Sequence, residues 1–117
     1  MKLVYETTDV IGLHPAFGRA IHNLDDMWLD IVGHELHILH ALDGEHSRFS
    51  RHYQGCAIDV RTWRNPSDNL SAQIEGADRD ALLAQARQIL GKNFLLIDHG
   101  THFHISFKPE HKAWTRQ

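Results

Sequence analysis

Apolar positions along the chain follow two rhythms. Phe17, Ala20, Ile21, Leu24, Trp28 and Ile31 recur at spacings of three and four, the period that lays one stripe of a helix against a core. His14-Pro15 precedes the stripe, with proline suited to the first helical position, and Gly33 follows it as a stop. A second helix is expected from Asp78, read as its N-cap, to Leu90. Leu82, Ala86, Ile89 and Leu90 lie on its apolar side and Gly91 ends it.

Elsewhere the period is two, or the run is apolar throughout. Residues 2–5 suggest a short strand. In the stretch 34–40, strict alternation puts Leu36, Ile38 and His40 on one face and Glu35, His37 and Leu39 on the other, before a turn at Asp43-Gly44. Residues 57–62 place Ile58, Val60 and Thr62 against Ala57, Asp59 and Arg61. Phe94-Leu-Leu-Ile97 is wholly apolar and reads as a central strand. After a turn over Asp98–Thr101, residues 102–107 alternate cleanly, with Phe103, Ile105 and Phe107 inward and His102, His104 and Ser106 on the opposite face. Residues 44–56 and 65–69 lack a period and read as loops, and the segment from Lys108 is polar and basic with Trp114 as its one large apolar residue. The expected fold is α+β: a single domain over residues 1–117, a mostly antiparallel sheet of about four strands, and two main helices on one face.

Bulk composition narrows the function. A chain of 117 residues is one domain with a real core. Its formal charge of −3 carries no footprint for nucleic acid or an anionic membrane. The single cysteine, Cys56, excludes an internal disulfide and a cysteine-based zinc ribbon. No apolar run reaches the length of a membrane span, and the N-terminus lacks the basic-then-apolar pattern of a signal peptide, so synthesis in the cytoplasm is expected. Histidine is the outlier: 11 copies against 12 lysines and arginines together, which points to metal or proton chemistry.

Three stretches hold that chemistry. His34-Glu-Leu-His-Ile-Leu-His40 looks like the His-Glu-x-x-His helix of zinc proteases, but its second His falls one position early. His34 and His37 are therefore given no ligand role, and His40 is expected to be packed or exposed. His52 and Asp59 stand either side of a tight, glycine-bearing turn, and His102 and His104 leave one face of a strand together. Two imidazoles and one carboxylate, with a fourth position left to water, is the ligand count of a catalytic zinc site. An Asp59–Arg61 ion pair on an exposed face is the alternative for that carboxylate.

The first motif, Ser50-x-His52-x-x-Gly55-x-Ala57-x-Asp59, together with His102-x-His104, resembles the hedgehog/DD-peptidase fold, which includes zinc D-Ala-D-Ala peptidases and phage endolysin peptidases. The longer run of His46, Ser47, Ser50, His52, Tyr53, Gly55, Ala57, Asp59, Arg61 and Thr62 is similar to small phage-type members, and the likeness covers roughly residues 34–107. It implies one zinc ion held by His52, Asp59 and His104. Related members place a Glu six residues before the last ligand, where this chain has Asp98; Asp98 is the implied general base, with His102 as its rival or partner. His46 is implied to orient the water or stabilise the tetrahedral intermediate. Arg48 and Arg51 are candidates to hold a substrate carboxylate, Tyr53 is a candidate cleft wall, and Cys56 is a small structural residue.

The function this resemblance implies is zinc-dependent hydrolysis of peptide bonds in bacterial peptidoglycan, at a bond involving a D-amino acid. It would be carried out by a monomer acting on the wall after release or as part of a phage particle. Hedgehog signalling domains supply a second expectation, a non-enzymatic zinc-binding module in which Asp98 marks a weakened site. Storage or transport of another metal, such as nickel or copper, is a third, and the two compact motifs argue against it.

Overall fold

A computed structural model describes residues 1–4, 16–42, 57–65 and 72–107. Within them the chain runs β1 (Lys2–Leu3), α1 (Ala16–Ile31), β2 (His37–Leu42), β3 (Ala57–Arg61), α2 (Gly76–Leu90), β4 (Phe94–Asp98) and β5 (His102–Phe107). The strands form one five-stranded sheet in the order β1-β2-β3-β5-β4. Only β1 pairs in parallel, with β2; the remaining pairs are antiparallel. The fold is thus α+β with a mostly antiparallel sheet, one strand larger than expected because the two-residue β1 joins its edge.

Helix α1 forms on its apolar stripe. Phe17, Ala20, Ile21, Leu24, Met27 and Trp28 are buried, and the polar positions between them are exposed except the half-buried Asp25. The helix closes at Gly33, whose φ of 94° suits glycine and whose N–H donates to the Trp28 and Leu29 carbonyls. Helix α2 buries Leu82, Ala86 and Leu90. It begins earlier than the sequence pattern predicts: Glu75 occupies the N-cap and makes no side-chain cap bond. Asp78 therefore lies within the first turn, where its carboxylate complements the helix N-terminus and receives Arg64 Nη1 at 2.7 Å.

One face of the sheet meets both helices. Ile38, Ile58, Val60, Leu96, Phe103, Ile105 and Phe107 join the α1 and α2 residues in a single core cluster. Aromatic edges lock it: Trp28 meets Phe103 at 6.0 Å and Phe17 meets Phe94 at 5.1 Å between centroids, both close to perpendicular. Among the described residues the other face is covered by no helix, and this open face carries Asp59, His102 and His104.

Two further features depart from the sequence expectation. β4 lies at the edge of the sheet, not its centre, and Leu95 and Ile97 are each 40% exposed on the open face. A short apolar run is compatible with either place, because its periodicity says nothing about neighbours. In β2 the register slips: Ile38 pairs with Val60, but His40 pairs with Asp59. Leu39 is the extra residue of a β-bulge, so His40 shares the face of Asp59, contrary to its expected grouping with Leu36 and Ile38. Among the described residues, no helix is long and apolar enough to cross a membrane.

Candidate metal centre

The open face is built by register. Asp59 of β3 stands directly opposite His104 of β5, and Ile97 of β4 extends the same row. Opposed residues in an antiparallel pair project from the same face with their Cβ atoms about 5 Å apart. A carboxylate and an imidazole so placed can meet, and Asp59 Oδ1 lies 2.7 Å from His104 Nδ1. His104 donates through Nδ1, since the carboxylate can only accept. Two register positions along, and so on the same face, His102 lies opposite Arg61. Its Nε2 is 4.0 Å from the same Asp59 oxygen, so two imidazoles approach one carboxylate.

The alternative partner for Asp59 is not taken up. Arg61 stacks its guanidinium over the Trp63 ring at 3.8 Å, and among the described residues no Asp59–Arg61 ion pair forms. Asp59 is flanked along β3 by the buried Ile58 and Val60 while its own side chain keeps 19% exposure. A carboxylate in that setting needs a partner to offset its desolvation, and His104 provides it.

The turn before β5 adds residues that the motifs had not singled out. His99 stacks on His102, with centroids 4.9 Å apart and planes 27° apart, and it meets the edge of His104 at 6.1 Å. Thr101 Oγ1 lies 3.0 Å from His102 Nδ1. When Nδ1 carries the proton and donates to that hydroxyl, the Nε2 lone pair faces Asp59. His99 was visible only as one more histidine in a turn; its stacking depends on where the turn folds. His40 reaches this face only through the bulge, which the alternation of its neighbours conceals.

Asp98, the implied base, stands elsewhere. It pairs in register with Phe103, whose side chain is buried against the helices. The carboxylate therefore projects toward the helix layer, on the other side of the sheet from Asp59 and His104. There Arg79 of α2 grips it in a fork, Nη2 to Oδ1 at 2.6 Å and Nε to Oδ2 at 3.0 Å, and the Gly100 N–H donates to Oδ1 at 2.8 Å. The Arg79 hydrogen bonds, opposed in part by burial, hold its carboxyl at about 2. A carboxylate so engaged is a poor proton acceptor near neutral pH, so the base expectation for Asp98 does not fit this arrangement.

The remaining expectations divide between the two kinds of residue. His52, the third implied ligand, lies outside the described residues, and so do His46, Arg48, Arg51, Tyr53 and Cys56. Among the described residues, no group of three His, Cys, Asp or Glu side chains comes together as a metal site. His34 has both ring nitrogens against main-chain carbonyls, of Glu35 at 2.8 Å and Trp63 at 3.1 Å. His37 is buried beside it, their ring centroids 5.4 Å apart.

The donor chemistry of Asp59 and His104 fits zinc. One carboxylate oxygen and one imidazole nitrogen are borderline-hard donors of the kind this ion takes, and ligand atoms at about 2.0–2.2 Å from a tetrahedral ion are separated by about 3.3 Å. The observed pair is slightly closer than that, as a proton-bridged pair should be before deprotonation lets both atoms turn to a cation. Comparison with protein-family models, with curated proteins and with solved structures returns no match.

Proposed function

We propose that this chain is a zinc-dependent hydrolase of peptide bonds in bacterial peptidoglycan, with His52, Asp59 and His104 as the metal ligands. The observation that carries the reading is the Asp59–His104 pair: two residues 45 apart in sequence are set 2.7 Å apart on adjacent strands, in the two motifs whose spacing resembles the zinc D-Ala-D-Ala peptidases. A zinc ion held there would supply Lewis acidity, polarising a peptide carbonyl and making a bound water acidic enough to ionise near neutral pH.

The chain's own residues provide the rest. His102, on the same face and 4.0 Å from Asp59, is placed to accept a proton from an attacking water through Nε2 while Thr101 holds its Nδ1. Protonated, the same imidazole returns that proton to the leaving amine. Leu95 and Ile97, exposed beside His104 on the open face, offer an apolar strip for the side chains of an extended peptide.

One observation favours a second reading. The carboxylate implied as the base, Asp98, is tied to Arg79, which suits a zinc module that binds without cleaving. Digestion of purified peptidoglycan by zinc-loaded protein, followed by mass spectrometry of the fragments, separates the two. New peptide termini at a D-amino-acid bond, absent with Asp59→Ala, are expected for the peptidase. Stoichiometric zinc with no new termini from any wall preparation would establish the binding module instead.

A further inference from the structure

Arg79 is the most connected side chain among the described residues. Besides the two bonds to Asp98, its Nη1 donates to the Ile74 carbonyl at 2.8 Å and its Nη2 to the Gly100 carbonyl at 3.1 Å. Its guanidinium carbon also lies 5.1 Å from the Phe103 ring centroid. With 12% side-chain exposure, the group is held in place by the helix layer. It contacts the turn after β4 from below, through both the carboxylate and the main chain.

The turn's own bonds set the rest of its path. Gly100 takes a φ of 85°, which only glycine adopts without strain, and His99 N–H donates to the His102 carbonyl at 3.0 Å to close the hairpin. Asp98 Oδ1 caps Gly100 N–H from within the turn, a local bond that sets the loop's path. The turn's upper side presents His99, Thr101 and His102 to the open face, and the position of the His102 imidazole follows from the path of residues 98–101.

We propose that Arg79 is a positioning residue: through Asp98 and the Gly100 carbonyl it clamps the turn 98–101 from the helix side, and so holds the His102 imidazole beside Asp59 on the opposite side of the sheet. This rests on the hydrolase reading for its kinetic consequence, but not for the geometry. Asp98 is then the jaw of the clamp and has no part in proton transfer. A guanidinium is suited to the task because its planar fork engages both carboxylate oxygens and still reaches two carbonyls, which a lysine ammonium cannot do.

Arg79→Met tests the clamp, since it keeps an apolar stem over Phe103 and removes every donor; Asp98→Asn is the second variant. In metal-free protein, the proton–proton NOEs between the stacked His99 and His102 rings are expected in wild type and lost in Arg79→Met, while core methyl resonances stay in place. In the zinc-loaded enzyme, kcat is expected to fall about 10- to 100-fold, with KM and zinc affinity within about 3-fold of wild type. The double variant should be no worse than either single one.

Retention of the ring NOEs in Arg79→Met overturns the clamp, whether or not the protein cleaves peptidoglycan. So does an unchanged kcat in an active enzyme. An inactive wild type whose NOEs are lost on substitution overturns the hydrolase reading and leaves the clamp standing.

Discussion

Asp59 Oδ1 and His104 Nδ1 meet at 2.7 Å across β3 and β5, and the contact depends on the register of that strand pair. A metal that displaces the shared proton converts a hydrogen bond into two ligand bonds, so zinc should bind more weakly as pH falls. Asp59→Ala and His104→Ala are each expected to weaken zinc binding by more than about 100-fold. Loss of an outer partner alone typically costs about 10- to 100-fold. His99→Ala, which removes only a stacking neighbour, should remain within about that outer-partner range. Competition against a chromophoric chelator measures all three. An Asp59→Ala protein with wild-type affinity would remove Asp59 from the ligand set.

The Arg79–Asp98 pair should register in acid stability. Its folded carboxyl titrates at about 2, below the ordinary 3.8. The unfolded chain therefore takes up a proton first as pH falls. The pair's contribution is complete above pH 3.8 and disappears as pH drops through about 2. The side chains are 12% and 28% exposed; allowing for solvent screening, the contribution is about 1 kcal/mol. Urea midpoints taken between pH 5 and 2 should fall more steeply in wild type than in Asp98→Asn. Parallel curves would show that the fork adds no net stability.

His37 gives a pH dependence at milder values. Burial lowers its folded pKa below 6.5, and the neighbouring His34 and Lys2 act in the same direction. Its neutral form is thus the one the fold accommodates. The associated stability is complete above pH 6.5 and is lost progressively below it, as the unfolded chain binds the proton more readily. His37→Gln, of similar reach and unable to titrate, should show a smaller loss between pH 7.5 and 5 in chemical denaturation. The comparison with wild type isolates His37 from the other histidines. Equal losses in the two proteins would rule out a contribution from its burial.

How far the sequence discloses this arrangement depends on whether a pattern carries parity. The stripe of α1 and the alternation of β5 are legible because each repeats several times with a single period, and they place His102 and His104 on the open face before any coordinates are known. The Phe94–Asp98 run carries no parity, since four apolar residues in succession fit either face. Only pairing of Phe94 with Phe107 decides that Ile97 faces outward with His104 and that Asp98 faces the helices. Counting six residues back from His104 finds Asp98 in sequence but cannot say which side of the sheet it occupies. Likewise Asp78 has the residue type of an N-cap, yet the helix begins three positions earlier, with Glu75 at the N-cap and Gly76 as its first residue. His99 and Arg79 are illegible for a different reason: the stacking of His99 on His102 and the contact of Arg79 with the turn depend on how the turn folds, which no local period encodes.

The bulge in β2 allows a sharper test of the open face. Ile38 pairs with Val60 and His40 with Asp59, so the register shifts by one residue at Leu39. Deleting Leu39 would leave the pairs on both sides unchanged and turn the strand into a regular one, with Ile38 still inward and His40 still opposite Asp59. Deleting Ala41, which pairs with Ile58, must instead shift everything beyond it by one position and exchange its faces. The Leu39 deletion is therefore expected to fold with a loss of about 1–3 kcal/mol, the ordinary range for a single change, and to retain zinc binding. The Ala41 deletion should lose far more stability. Thermal unfolding and zinc titration of the two deletions make the comparison directly. If removal of Leu39 abolished zinc binding while the core stayed folded, the twist that the bulge adds to β2 would itself be required to bring the metal ligands together.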